Sequence, residues 1–167
     1  MRFKRFFVLC FALVIFANGR LFAEDYLKDG KLSQTLKIVE LQGGFAGYTG
    51  TQFVIAPDGA WTFETIFNQK TTPKDKGKLS EKELAKLAGI LEKYDLAKLP
   101  AESGKPPGAN PHTVKFEFGK QTANFVGQVP PKVDSKNPTA TAESRFAGIL
   151  EGVVGMLAPA PKGEKKD

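Results

Sequence analysis

The chain has 167 residues, of which 41% are hydrophobic and 25% are charged, and its formal net charge is +6. This length suffices for one hydrophobic core and therefore for a single domain. The one cysteine, Cys10, excludes an internal disulfide.

The N-terminus has the pattern of a signal peptide. Three basic residues lie within the first five positions, and residues 6–17 then run without a charge. That run is shorter than the roughly 20 apolar residues of a membrane-spanning helix and has the length of the apolar segment of a signal peptide. We predict an exported protein, periplasmic or secreted, whose residues 1–23 are cleaved after Ala23, with Gly19 as the alternative cleavage position. An uncleaved N-terminal anchor is the competing interpretation; after cleavage we expect no stable membrane anchor.

Removal of this segment changes the charge balance. Four of the 24 lysines and arginines, and none of the 18 acidic residues, lie in residues 1–23. The remaining 20 basic residues nearly balance the 18 acidic ones, and Arg145 is the one arginine left. A nucleic-acid-binding domain is expected to carry a basic patch. The balance therefore argues against nucleic acid as a partner.

The next residues predict strands that pair as hairpins. Apolar and polar residues alternate, or β-formers cluster, over residues 35–41, 52–56, 60–67, 112–118 and 121–126. Pro57-Asp58-Gly59 is a turn sequence, because proline presets φ and glycine accepts positive φ. Gly119-Lys120 is a second, two-residue turn.

Two amphipathic helices are also predicted. Ser80 and Glu83 form a capping-box pattern, and Leu84, Leu87 and Leu91 follow at helical spacing. The second helix spans Ala142 to Leu157. Its predicted inward residues are Phe146, Ile149, Leu150, Val153 and Leu157.

The order β, ββ, α, ββ, α favours an α+β fold. We predict an antiparallel sheet of about five strands with two helices packed on one face, formed by a single domain of residues 24–157. Residues 68–78 and 102–111 are predicted as surface loops because they are polar or rich in proline and glycine. Residues 158–167 form a Pro/Lys tail that we predict to be disordered.

The sequence offers little catalytic chemistry. An enzyme needs a nucleophile with a base, a metal cluster or a carboxylate pair in a cleft. His112 is the one histidine, which we expect at the surface, and a zinc site needs three or four ligands. We predict a protein that is not an enzyme and that needs neither a cofactor nor a metal of its own.

Residues 42–50 contain four glycines and two aromatic residues, so we predict an irregular loop. One interpretation is a wide turn whose Phe45 folds back onto the core. The other is a protruding loop that presents Phe45 to a pocket of a partner and that the neighbouring loop 103–111 holds in place. The candidate target-binding residues are Gly43, Gly44, Phe45, Ala46, Gly47 and Tyr48.

The run KIVELQGGFAG at residues 37–47 resembles the start of emfourin, the family of protealysin inhibitors. Members open with a strand and a Gly-Gly-Phe-Ala-Gly loop, and continue with a strand, a helix that ends in Leu-Pro-Ala, and a hairpin. This chain has Leu99-Pro100-Ala101 after its first helix, followed by a hairpin over residues 111–126. The resemblance covers roughly residues 35 to 127.

The resemblance implies inhibition of a thermolysin-like (M4) metallopeptidase. Such enzymes hold a catalytic zinc and favour a bulky apolar residue in a primed-side pocket. By position in the motif, residues 43–47 would be the contact loop and Phe45 its anchor, while the zinc would belong to the target. The alternative is a non-catalytic extracytoplasmic binding or structural module with the same fold.

Overall fold

The computed structural model describes residues 26–105 and 108–157. The predicted signal peptide and the predicted disordered tail lie outside these residues. Within them, no helix is both long and apolar enough to cross a membrane. The strands are β1 (Leu27–Lys28), β2 (Lys31–Leu32), β3 (Leu36–Gly44), β4 (Gly47–Ile55), β5 (Ala60–Phe67), β6 (Lys70–Lys78), β7 (Glu102–Gly104), β8 (His112–Phe118) and β9 (Gln121–Gly127). The helices are α1 (Glu81–Lys93) and α2 (Ala142–Leu157), with a short 3-10 turn at Leu96–Lys98.

The predicted α+β class is confirmed, but the predicted sheet is wrong in size and type. The main sheet has seven strands in the order β6-β5-β4-β3-β8-β9-β7, and β1 pairs with β2 separately. Its strand pairs are antiparallel except for β7 and β9, which run parallel. The sheet is therefore mixed.

Both additional strands lie at edges of the sheet and inside segments that we predicted as loops. Strand β6 is exposed along its whole length, and it pairs with β5 through a β-bulge at Phe63 and Glu64. Its lysines and Pro73 are typical of an edge strand that resists further pairing. Because the strand is paired through its backbone and none of its side chains is buried, no apolar alternation marks it in the sequence.

One face of the sheet forms the core together with both helices. Ile38 and Phe116 are cross-strand partners on this face, and both are almost fully buried. The ring of Phe146 from α2 stacks on that of Phe116, with centroids 5.3 Å apart. The five residues that we predicted to face inward from α2 are all buried. Lys37 and Val39, which point to the opposite face, remain partly exposed.

Helix α1 begins where the capping box predicts. The Ser80 N–H donates to Glu83 Oε2 at 2.7 Å, and Ser80 Oγ accepts the Glu83 N–H at 3.4 Å. Leu84, Leu87 and Leu91 are buried as predicted. The helix therefore lies with its leucine stripe on the core.

Candidate functional site

The candidate site is the tip of the hairpin formed by β3 and β4. The cross-strand register continues through Gly43 opposite Tyr48 and Gly44 opposite Gly47, so only Phe45 and Ala46 lie outside the strands. Our prediction of an irregular loop was wrong, because paired strands tolerate glycine where neighbouring groups approach closely. The glycine-rich motif is the end of a narrow two-stranded ribbon.

Phe45 is fully exposed at this tip, with a relative accessibility of 111%. This rules out the interpretation in which its ring folds back onto the core. Gly44 and Ala46, its direct neighbours, are also exposed and have no side chain beyond a methyl group. The aromatic ring therefore projects alone from a slender support. Tyr48, three residues after Phe45, is 46% exposed.

Asn68, in the turn between β5 and β6, clamps the tip from one side. Its Oδ1 accepts the Tyr48 N–H at 3.0 Å, and its Nδ2 donates to the carbonyl of Ala46 at 3.2 Å. Its own N–H donates to the carbonyl of Tyr48 at 2.8 Å. Our sequence analysis missed this residue. Asn68 and Gln69 are both at positive φ, as in a type I′ hairpin turn, but the pair lacks the glycine that marks such turns in a sequence.

Gly47 has two reasons to be glycine. Its φ of +105° lies in the left-handed region, which side chains disfavour. A Cβ at this position would also lie 1.8 Å from Asn68 Oδ1. The glycine thus lets the Asn68 amide reach the backbone of the tip.

The segment before β8 holds the hairpin from the other side. The Gly43 N–H donates to the carbonyl of Pro111 at 2.6 Å, and a Cβ on Gly43 would lie 2.6 Å from Pro111 Cδ. The Gln42 Nε2 group donates to the carbonyls of Gly43 and Asn110, at 3.0 and 3.2 Å. We predicted that the loop 103–111 supports the motif, and its described part at Asn110 and Pro111 does contact it.

His112 is buried, so our expectation of a surface histidine was wrong. It is the first residue of β8, and the alternation of that strand puts it on the same buried face as Val114 and Phe116. Its Nδ1 lies 3.0 Å from Gln42 Oε1. Its Nε2 lies 3.0 Å from Glu40 Oε1 without a directed hydrogen bond. The NH₂ group of Gln42 donates to backbone carbonyls, so Gln42 Oε1 faces His112 and accepts a hydrogen bond from it. We therefore assign a proton to His112 Nδ1.

These contacts give His112 a structural position at the base of the hairpin. It joins β3 to β8 below the tip, and the described residues contain no group of three or more His, Cys, Asp or Glu side chains that could hold a metal ion. The residues from Gly43 to Tyr48 carry no charged side chain. What the arrangement offers chemically is an apolar anchor on a fixed backbone.

No family model matches the chain, and no curated protein matches it either.

Proposed function

We propose that the chain is an exported protein inhibitor of a thermolysin-like metallopeptidase, and that the tip of the β3–β4 hairpin occupies the active-site cleft of its target. The observation that carries this proposal is the full exposure of Phe45 on a tip that hydrogen bonds hold from both sides. The resemblance of residues 37–47 to the emfourin motif supplies the target class.

A fixed tip suits an inhibitor because flexible loops lose conformational freedom on binding. Each side chain that becomes ordered costs about 0.5–1.5 kcal/mol. Here the backbone of Ala46 and Tyr48 is already fixed by Asn68. More of the interaction free energy of Phe45 then remains as affinity, and aromatic anchors are typical binding hot spots.

The shape of the tip suits insertion into a cleft. Neighbouring strands lie about 4.8 Å apart, and glycine occupies both sides of the last strand pair, Gly44 and Gly47. The ribbon is therefore thin where it would enter the cleft. In this arrangement Phe45 fills the apolar primed-side pocket, the zinc belongs to the target, and the inhibitor needs no cofactor.

The second candidate is a non-catalytic extracytoplasmic binding module. Contacts within the chain favour this alternative, because they explain two glycines of the motif. Pro111 leaves no space for a side chain at Gly43, and Asn68 leaves none at Gly47. Packing within the chain thus accounts for both glycines without any protease. The same exposed tip would serve another partner that has an apolar pocket.

The test is a titration of a thermolysin-like metallopeptidase with the purified chain of residues 24–167. The activity of the enzyme is monitored through its cleavage of a small peptide substrate. We expect stoichiometric loss of activity. Mass spectrometry should find the peptide bond between Gly44 and Phe45 intact, because a substrate would be cut there. Added zinc should not restore activity if the inhibitor plugs the cleft, whereas it would reverse inhibition by chelation.

Undiminished activity at micromolar excess over several such enzymes would contradict the inhibitor proposal. Rapid cleavage before Phe45 would contradict it as well. The module would then be the better account of the exposed tip.

A further inference from the structure

We infer that the binding surface extends beyond the hairpin tip over the whole end of the sheet on which that tip lies, and that the partner offers an elongated apolar cleft with an acidic rim. This inference rests on the proposed function and specifies the shape and charge of the partner's site. We call this surface the binding end; it comprises residues 43–49, 66–71, 104–105, 108–112 and 126–129.

The exposed large hydrophobic side chains of the described residues converge there. They are Phe45, Tyr48, Phe67 and Val129. Phe67 is the last residue of β5, and it is 56% exposed next to the turn that carries Asn68. Val129 is 58% exposed, two residues beyond the end of β9.

The strand directions explain why these residues meet. Strands β3, β5 and β9 end at the binding end, and β4, β6 and β8 begin there, as the antiparallel registers require. At the opposite end of the sheet lie the turns at residues 56–60 and 119–120, where no large hydrophobic side chain of the described residues is exposed. A random scatter of surface apolar residues would need no explanation, but all four lie at one end of the sheet, and apolar side chains grouped on one surface are typical of interaction sites.

The four exposed side chains are spread across several neighbouring strands. Phe67 lies on β5 and Val129 follows β9, and the strand order β5-β4-β3-β8-β9 places four strand spacings between them. At about 4.8 Å each, these spacings give a length of roughly 19 Å. Asn68 joins the tips of the two hairpins, because it donates a hydrogen bond to the carbonyl of Ala46 and accepts one from the Tyr48 N–H. A round pocket would accept Phe45 alone, whereas an elongated cleft accepts the whole row.

The charges of the binding end have one sign. Lys70 and Lys105 are exposed there, and its residues include no aspartate or glutamate. Neither lysine forms an ion pair with another described residue. Because complementary charges steer association and reject wrong partners, a partner that receives this end is expected to be acidic around its cleft.

The apolar part of the inference is tested by Phe67→Ala and Val129→Ala, assayed for inhibition of thermolysin beside the unmodified chain. We expect each change to raise the inhibition constant about tenfold. This is the effect expected from truncation of an interface residue that contributes measurably to binding. Thermal unfolding should be nearly unchanged, because both side chains are more than half exposed.

The charge part is tested by Lys70→Glu against a matched control, Lys120→Glu, which changes an exposed lysine of a hairpin turn at the opposite end. At low salt Lys70→Glu should slow association several-fold and leave dissociation nearly unchanged, and the difference should shrink at high salt. The control should associate like the unmodified chain.

The outcomes separate the two proposals. Inhibition that depends on Phe45 but is unchanged by Phe67→Ala, Val129→Ala and Lys70→Glu would overturn the extended binding end and leave the inhibitor proposal standing. Equal slowing by Lys70→Glu and Lys120→Glu would overturn the acidic rim, because only net charge would then matter. A chain that does not inhibit thermolysin-like enzymes at all would overturn the proposed function, and this inference with it.

Discussion

The two ends of the seven-stranded sheet are both made of tight turns that backbone hydrogen bonds hold, but among the described residues only the binding end leaves large apolar side chains exposed. At the far end, the carbonyls of Pro57 and Gly59 accept backbone N–H groups from Leu32 and Leu79, at 3.0 and 2.9 Å. Gly59 is buried there, and the turn also carries an ion pair between Asp58 and Lys78.

At the binding end, hydrogen bonds fix the backbone while the apolar side chains stay in water. Asn68 and Pro111 hold the tip, and Phe45 touches the solvent on all sides. An exposed apolar ring contributes little to folding, because burial of apolar area is what stabilises a domain. Hydrogen bonds at the binding end therefore fix the backbone of a surface whose apolar side chains the core does not bury.

The largest effect is expected from a core aromatic residue compared with an exposed one. Phe146→Ala should lower the free energy of unfolding by about 3–5 kcal/mol, because the change leaves a cavity beneath the stacked ring of Phe116. Phe67→Ala at the binding end should change it by less than about 0.5 kcal/mol. Urea unfolding of both variants gives the measurement, and similar losses would mean that Phe67 belongs to the core.

A pair of glycine substitutions compares the two ends directly. Gly59 has a φ of +86°, and a Cβ there would lie 2.7 Å from the carbonyl oxygen of Leu79. Gly59→Ala should therefore cost about 1–3 kcal/mol of unfolding free energy. At Gly44 a Cβ would meet only the Gly47 carbonyl oxygen, at 3.7 Å, so Gly44→Ala should be tolerated. A larger loss from Gly44→Ala in urea unfolding would reverse the assignment of the two ends.

The clamp is tested by Asn68→Ala. We expect inhibition to weaken about tenfold, corresponding to about 1.4 kcal/mol, because the change removes two side-chain hydrogen bonds to the tip. Gln69→Ala is the matched control, since both residues lie at positive φ in the same turn. Titrations of a thermolysin-like enzyme that give equal inhibition constants for the two variants would show that the clamp does not contribute.

The smallest expected effect is a change in the pH dependence of stability, and it involves Glu83 in α1, outside the binding end. Hydrogen bonds from the Ser80 N–H and then the Ser80 hydroxyl hold the pKa of Glu83 below its ordinary value of 4.5. A carboxyl whose pKa falls on folding stabilises the native state above its unfolded pKa, and this contribution is lost as pH falls through the folded pKa. Glu83→Gln should therefore flatten the decline of the unfolding temperature below pH 4.5. Glu92→Gln, on the same helix, is the control; an unchanged decline in Glu83→Gln would contradict the prediction.

Much of the fold could be predicted because its signals are local. The capping box at Ser80 and Glu83 located the start of α1, and the alternation over residues 112–118 located β8 with its buried phenylalanines. Strands β6 and β7 could not be predicted, because backbone pairing at an edge needs no apolar pattern. A three-residue strand such as Glu102–Gly104 exists only because β9 lies beside it.

The candidate site was likewise predicted only in part. The sequence picked out Phe45 among its glycines but left open whether the ring was buried, since exposure depends on which elements cover the tip. Asn68 lies 22 residues from Ala46, and only the pairing of β4 with β5 brings them together. His112 was expected at the surface because it is a polar residue at the start of its strand, although the alternation of β8 puts it on the same buried face as Val114 and Phe116.

The exposed ring of Phe45 is expected to contribute to the binding of a partner and not to the stability of the core. The most direct measurement is the Phe45→Ala variant of the chain of residues 24–167, followed in parallel by thermal unfolding and by titration of a thermolysin-like metallopeptidase. We predict an unfolding temperature within about 2 °C of the unmodified chain, as expected for an exposed side chain, together with a loss of inhibition of at least about 100-fold. Inhibition that survives the change, or an unfolding temperature that collapses with it, would contradict the account.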